Sequence, residues 1–210
     1  RLDRLEKLAA ETHAAAPGAR VVPLKCDVNQ DADVERAFAA AKERFGKLDA
    51  LVNNAGYGVY GTVAETDLSE FRANLETNYF GTLRCTKAAL PLLREAAERN
   101  PKKRWGAAIV MVGSFVGRRA LPAMGAYCAT KFALEGLSES LRIELRDERI
   151  SVSVVNPGVT QTEFFMEAQG RRPKGYPHPL KGMSAEAVAE VIWRATRRPF
   201  RNRYLTAWGK

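Results

Sequence analysis

The sequence predicts an α/β domain in which a doubly wound parallel sheet carries helices on both faces. Three observations point there. Helical and β-rich stretches alternate along the chain. The runs 107–112 and 150–155 are apolar almost throughout, as in strands covered on both faces. Four β-rich runs break off in polar or glycine residues: Asp27, Asn53-Asn54-Ala55-Gly56, Gly113-Ser114 and Asn156-Pro157-Gly158. In a parallel sheet such breaks share the carboxyl edge of the strands, where ligands bind.

Each element has its own signal. Leu2, Leu5, Leu8 and Ala9 recur at helical spacing until Pro17-Gly18 ends the helix. Residues 21–28 read as a short strand, with Asp27 near its end. Residues 31–45 are Ala-rich and amphipathic, and Gly46 stops them. The apolar run 48–53 reads as a strand and ends in the Asn-Asn-Ala-Gly break. One long helix is expected over about 67–98, a strand over 107–112, a helix over 126–146 and a strand over 150–155. Ser184 is placed to cap a last helix running through Arg194, and residues 203–208 read as a terminal strand. The stretch 166–183 is the long irregular one, and residues 163–183 are expected to form a substrate loop or lid. Residues 1–210 read as a single domain.

Composition excludes several classes of function. At 210 residues, 46% hydrophobic and 27% charged, the chain can bury a core and is not a disordered segment. No apolar run reaches the roughly 18 residues of a membrane span, and no secretory signal opens the sequence. Cys26, Cys85 and Cys128 are odd in number, far apart in sequence and form no CxxC pair. With His13 and His178 they offer too few ligands for zinc, so no metal is expected. This reads as a cytoplasmic protein with reduced thiols. The net charge of +9 gathers at Lys102-Lys103-Arg104, Arg171-Arg172-Lys174 and Arg197-Arg198-Arg201-Arg203. Without aromatic residues interleaved on a strand, these runs read as solvated surface, and no nucleic-acid partner is expected.

Ser114, Tyr127 and Lys131 are the residues that carry chemistry. Lys131 follows Tyr127 by four positions, so both face one side of a helix a turn apart. A free tyrosine, with a pKa of about 10, is a poor base near neutrality. A fixed ammonium beside the phenol is expected to lower that pKa and ready it for proton exchange with an alcohol or carbonyl. Ser114 would hold the same substrate oxygen. Taken alone, Tyr-x-x-x-Lys is equally a common structural pairing on helices.

With its neighbours, this trio resembles the short-chain dehydrogenase/reductase family. The matching elements come in order between about residues 21 and 162. They are Asp27-Val28 after a strand, Asn53-Asn54-Ala55-Gly56, Asn78 followed by Gly81, Ser114, Tyr127-Cys128-Ala129-Thr130-Lys131, and Asn156-Pro157-Gly158 with Thr162. The resemblance implies a Rossmann-like fold and an oxidoreductase that moves a hydride between NADP or NAD and a carbonyl or alcohol. It implies Tyr127 as acid/base, Lys131 as its tuner and ribose ligand, and Ser114 as the group orienting the substrate oxygen. It also implies that Asn78 binds a water linking Lys131 to solvent. Asp27 and Val28 would take the adenine. Asn54, Ala55 and Gly56 would approach the ribose, and Pro157, Gly158, Thr160 and Thr162 the nicotinamide. Phe115 and Phe165, within a cluster that includes Tyr57, Tyr60, Leu121, Met124, Phe164 and Met166, would bind an apolar substrate. The two long helices match the pair by which family members build homodimers and homotetramers.

The chain departs from the family in one respect. No Thr-Gly-x-x-x-Gly-x-Gly phosphate loop precedes residue 21. The domain is therefore expected to be N-terminally incomplete, with the first two strands missing and the 21–28 run deprived of neighbours. Cofactor choice then rests on Arg1 and Arg4, whose charge favours NADP over NAD. The competing expectation is a non-catalytic relative that keeps the fold as a binding or oligomerisation module.

Overall fold

The computed structural model describes residues 1–174 and 182–205. Its centre is a four-stranded, all-parallel sheet formed by β1 (Ala50–Asn53), β3 (Ala107–Val112), β4 (Ile150–Pro157) and β8 (Asn202–Leu205), in the order β1-β3-β4-β8. The register pairs Val52 with Val110, Val110 with Ser153, and Asn156 with Tyr204. Alternation along β3 and β4 decides what covers each face. Ala107, Ile109, Met111, Val152 and Val154 point to one side. There they meet Ala89, Leu93 and Ala96 of α4 (Thr82–Arg99) and Leu134 and Leu141 of α5 (Gly125–Glu144). Val110 and Val155 point to the other side, against Val191, Ile192 and Ala195 of α6 (Ala185–Arg197). Each fully buried side chain of this size contributes roughly 1.5–3 kcal/mol, so the central strand pair anchors the domain. The sheet is parallel, covered on both faces and Rossmann-like, as expected.

Several elements follow the sequence closely. α2 (Asp31–Phe45) ends where Gly46 adopts φ +69°, a left-handed cap that glycine takes without strain. It packs beside α4, with Lys42 donating to Glu95 at 2.9 Å. Ser184 Oγ accepts from Ala187 N–H at 3.1 Å and so caps α6. α1 (Leu2–Ala15) forms as its leucine spacing predicts but has no buried residue, and Arg1 and Arg4 tie it to Glu163 by ion pairs.

Three expectations need correction. Residues 21–27 form no regular element and Val28 enters a turn, because among the described residues no strand lies beside them to accept their backbone hydrogen bonds. The helix expected over 67–98 is divided into α3 (Leu68–Leu75), a π-helical turn over Glu76–Gly81, and α4. The stretch 166–183 is not wholly irregular. Within it β6 (Gln169–Gly170) pairs with β2 (Val59–Tyr60), and β7 (Met183–Ser184) pairs with β5 (Thr160–Gln161). The middle of the expected lid, with His178, lies outside the described residues, as does the end of the terminal strand expected over 203–208.

Candidate active site

Ser114 follows the end of β3 with an extended backbone, φ −164° and ψ 156°. Its Oγ accepts from Val116 N–H at 3.4 Å and starts a short 3-10 turn over Phe115–Gly117. That leaves the hydroxyl proton free to turn toward the cleft. Tyr127 sits in the first turn of α5, only 6% exposed, with the Ser114 hydroxyl near enough to ease the charging of its phenol. Lys131, one turn further along, is also buried. Its Nζ donates to Val112 O at 2.9 Å and lies 5.6 Å from the centre of the Tyr127 ring. The strand end and the helix start thus bring Ser114, Tyr127 and Lys131 together.

The electrostatics differ from the sequence-based expectation. Burial pushes the Tyr127 phenol well above its ordinary value, and the Ser114 hydroxyl pulls it only part of the way back. Burial likewise pushes the Lys131 ammonium down, to about 8. Desolvation therefore outweighs the attraction expected between ammonium and phenolate. Tyr127 holds its proton and is set up as a donor.

Asn78 sits in the π turn, a form of helix often found at functional sites. Its Nδ2 donates to Tyr57 O at 2.9 Å and to Thr130 Oγ1 at 3.1 Å, and its Oδ1 accepts from Tyr57 N–H at 3.0 Å. Asn74 Nδ2 donates to the same Tyr57 carbonyl at 3.0 Å. Both amide hydrogens of Asn78 are thus engaged by the protein, and its side chain clamps the turn after β1. Gly56 is required at that turn, because a Cβ there would lie 2.9 Å from Asn78 Oδ1. Thr130 Oγ1 in turn donates to Tyr127 O at 2.8 Å and joins this clamp to the start of α5. Asn53 Nδ2 donates to Thr86 Oγ1 at 3.0 Å and fastens β1 to α4.

Ser114, Tyr127, Lys131 and Gly56 line a cleft of about 1070 Å³ at the carboxyl ends of the strands, while Asn78 stands behind its wall. That exceeds the roughly 300–1,000 Å³ of ordinary small-ligand sites. Asn54, Gly56, Ser114, Phe115, Tyr127, Lys131, Pro157, Gly158, Thr160, Thr162 and Phe165 all face it. Gly158 is fixed through its N–H to Leu205 O at 2.6 Å, and Thr162 Oγ1 accepts from Phe164 N–H at 3.3 Å. Ala55 is exposed beside the cleft and is not part of its wall. Asp27 and Val28 stand apart from it. Asp27 Oδ1 accepts from Asn29 N–H at 2.9 Å in an Asx turn, and Val28 packs against Gly81. The wall also uses Val52 of β1 and Val188 and Ile192 of α6, which sequence reasoning missed. The four-residue spacing of Val188 and Ile192 was the available signal. Thr130 was also missed, and nothing in its local sequence marks it.

The comparisons agree with this geometry. The model of the short chain dehydrogenase family matches residues 1–172. Dehydrogenase/reductase SDR family member 7B of Xenopus laevis is 36% identical over 170 residues, covering 78% of this chain and 50% of that protein. The 3-ketodihydrosphingosine reductase of Dictyostelium discoideum is 35% identical over 151 residues, 71% of this chain and 43% of that one. An alcohol dehydrogenase from the archaeon Thermococcus sibiricus, solved in complex with 5-hydroxy-NADP, superposes with a TM-score of 0.82. It is 26% identical, with 99% of this chain and 83% of that chain covered. The chain spans about half the length of the curated relatives it matches. By its sequence match, its sheet and the grouping of Ser114, Tyr127 and Lys131, the chain belongs to the short-chain dehydrogenase family.

Proposed function

We propose that the protein is an NAD(P)-dependent oxidoreductase acting on an apolar carbonyl or alcohol. The observation that carries this reading is the convergence of Ser114, Tyr127 and Lys131 on the floor of one cleft large enough for a nicotinamide riboside and a substrate together. The donor set fits such a group. Lys131 Nζ can reach ribose hydroxyls, and the strand-end backbone at Asn54, Gly56, Pro157 and Gly158 allows a flat ring to approach closely. Thr160 and Thr162 would meet the carboxamide, and Asp27 and Val28 would serve the adenine from outside the cleft.

When bound, the dinucleotide supplies or accepts the hydride. The protein's own work is done on the oxygen. Ser114 donates a hydrogen bond to the carbonyl oxygen and fixes its direction. Tyr127, held protonated by burial, gives its proton to that oxygen as negative charge develops there. Lys131 holds its ammonium against Val112 O, next to the phenol that must be reprotonated. In the oxidation direction the same groups run in reverse. Tyr60, Phe115, Leu121, Met124, Phe164 and Phe165 close the substrate end, and Phe164 packs on Tyr127 with ring centres 5.3 Å apart. Such a wall excludes water and favours an apolar substrate. NADP is favoured over NAD on the positive charge of Arg1 and Arg4, which in the structure pair with Glu163 while Asp3 and Glu167 also act on Arg4. Solved neighbours take both, the Thermococcus enzyme being held with 5-hydroxy-NADP and a reductase of alginate metabolism being NADH-dependent. Phe132 and Ile143 are exposed on α5 and support a homodimer or homotetramer. No helix among the described residues is long and apolar enough to cross a membrane.

The test is a fluorescence titration with NADPH and NADH side by side, followed by turnover measurements. Tyr127→Phe is expected to lower turnover by about 10²- to 10⁴-fold while leaving dinucleotide affinity nearly unchanged. Turnover equal to that of the wild type would remove Tyr127 from the chemistry. Binding of neither dinucleotide would leave the binding or oligomerisation module.

A further inference from the structure

Cys26 and Cys85 are distant in sequence and take no part in the cleft. The contacts around them fix how one segment lies on the other. Asn29 Nδ2 donates to Thr77 Oγ1 at 3.0 Å. Val28 presses on Gly81 so closely that a Cβ there would be 2.7 Å from Val28 Cγ2. Moving backward from Asn29 to Val28 thus moves forward along the helix, from Thr77 to Gly81, and the two segments run antiparallel. Arg84 leans back toward the start of the helix, as helical side chains do, and pairs with both Asp31 and Glu76 along the same seam.

The next position on that helix face is Cys85, four residues and about 6 Å beyond Gly81. Two residues separate Val28 from Cys26, a reach of at most about 7 Å. Cys26 lies on the same segment, just before the turn that seats Val28 against Gly81. Cys85 also senses Cys26. It is pushed up to about 11, first by burial and then by the nearness of Cys26.

We propose that Cys26 and Cys85 form a reversible intrachain disulfide, a modification site that staples the 21–28 segment to α4. The oxidant is a small disulfide such as oxidised glutathione. Cys26 is the exposed thiol and reacts first. Its thiolate attacks one glutathione sulfur, the glutathione S–S bond breaks, and one glutathione leaves as thiolate and takes up a proton. Cys85, as thiolate, then attacks the Cys26 sulfur of the mixed disulfide, and the second glutathione leaves in the same way. Two protein thiols lose two electrons in all, and one oxidised glutathione becomes two reduced ones. Burial holds both thiols above their ordinary range, so the reaction quickens with rising pH. Cys128 is buried in the core beneath Leu121 and stays outside the exchange.

The whole chain is incubated with oxidised glutathione at alkaline pH, capped with N-ethylmaleimide and digested with trypsin without reduction. The expected product joins the peptide of residues 26–36 to that of residues 85–87, and dithiothreitol separates them. The thermal midpoint is expected to rise by roughly 5 °C on oxidation, because the bond closes a long loop. Cys85→Ser should leave Cys26 as the glutathione adduct, and Cys26→Ser should leave Cys85 reduced. Cys128→Ser should change nothing. The proposal is overturned if wild-type Cys26 stops at the glutathione adduct, pairs between two molecules or stays unreacted, with Cys85 capped by the maleimide.

Discussion

Strands β3 and β4 and the segment 19–28 are built from similar residues, rich in valine and other apolar side chains, yet they end in different states. Val110 and Val154 are fully buried and laddered on both sides, whereas Val21 is 43% exposed and its segment pairs with no strand. The same contrast separates the helices. α5 buries Tyr127, Lys131 and Leu134, while α1 buries nothing and leaves Leu8 55% exposed. What differs is the neighbour. β-propensity states a willingness to fit a pleated, half-buried surface, and a strand forms only where another strand offers its backbone. Ser114, Pro157 and Gly158 follow strands with neighbours on both sides, whereas Asn54 and Gly56 follow β1 at the sheet's edge.

The sharpest test of that contrast removes a side chain wedged between α5 and the sheet. Leu134→Ala is expected to cost about 2–5 kcal/mol in urea unfolding, through lost burial and the cavity left behind. A cost below about 1 kcal/mol would mean that α5 is held mainly by its polar contacts.

The next effect depends on pH. The folded-state pKa of Lys131 lies below its unfolded value, so at neutral pH protonation of this group favours the unfolded chain. As pH rises from about 8 toward 10.5, the unfolded chain holds the extra proton and the folded protein gains. Relative to Lys131→Met, the wild type should gain on the order of 3 kcal/mol across that window. A stability difference that stays flat from pH 7 to 10.5 would show that water reaches the ammonium.

Asn78→Ala removes all three side-chain hydrogen bonds of the clamp and strands the Tyr57 amide. The expected cost is about 2 kcal/mol, with faster hydrogen exchange at Tyr57 as the local signature. Asn78→Ser, too short to span to Tyr57, should behave much as alanine does. Leu8→Ala on α1 is the smallest change, within about 0.5 kcal/mol of wild type. A larger loss would show that α1 is covered in solution.

Much of the fold is legible in the residues themselves. The helix at 31–45 and the strand at 107–112 have the bounds read from their periodicity and from Gly46, because their local pattern agrees with their surroundings. The segment 21–28 was misread because its pattern is local and its partner is not. The π turn is invisible to a search for 3.6-residue periodicity, although an asparagine in the middle of a helix marks the place. At the site, spacing alone brings Tyr127 and Lys131 onto one helix face, and their convergence with Ser114 needed the motif order. The electrostatics were read the wrong way, since sequence shows that a cation is near a phenol but not how dry the place is. Cys26 and Cys85 show the same limit, because only packing reveals that they are neighbours.

The π turn also bears on which changes of length the chain can tolerate. In a regular α-helix each residue turns the face by about 100°. The π turn holds one residue more than a regular turn, so losing one from Glu76–Gly81 would let the helix close with Ala89, Leu93 and Ala96 still on the sheet, and the loss would fall on the Asn78 clamp. Gaining one residue, which the wide turn cannot absorb, would rotate α4 by that angle or else pull Asn78 away from Tyr57. Substitutions at the exposed Phe80 leave this geometry alone. The chain's length at this turn is thus held by the clamp on one side and by the sheet on the other.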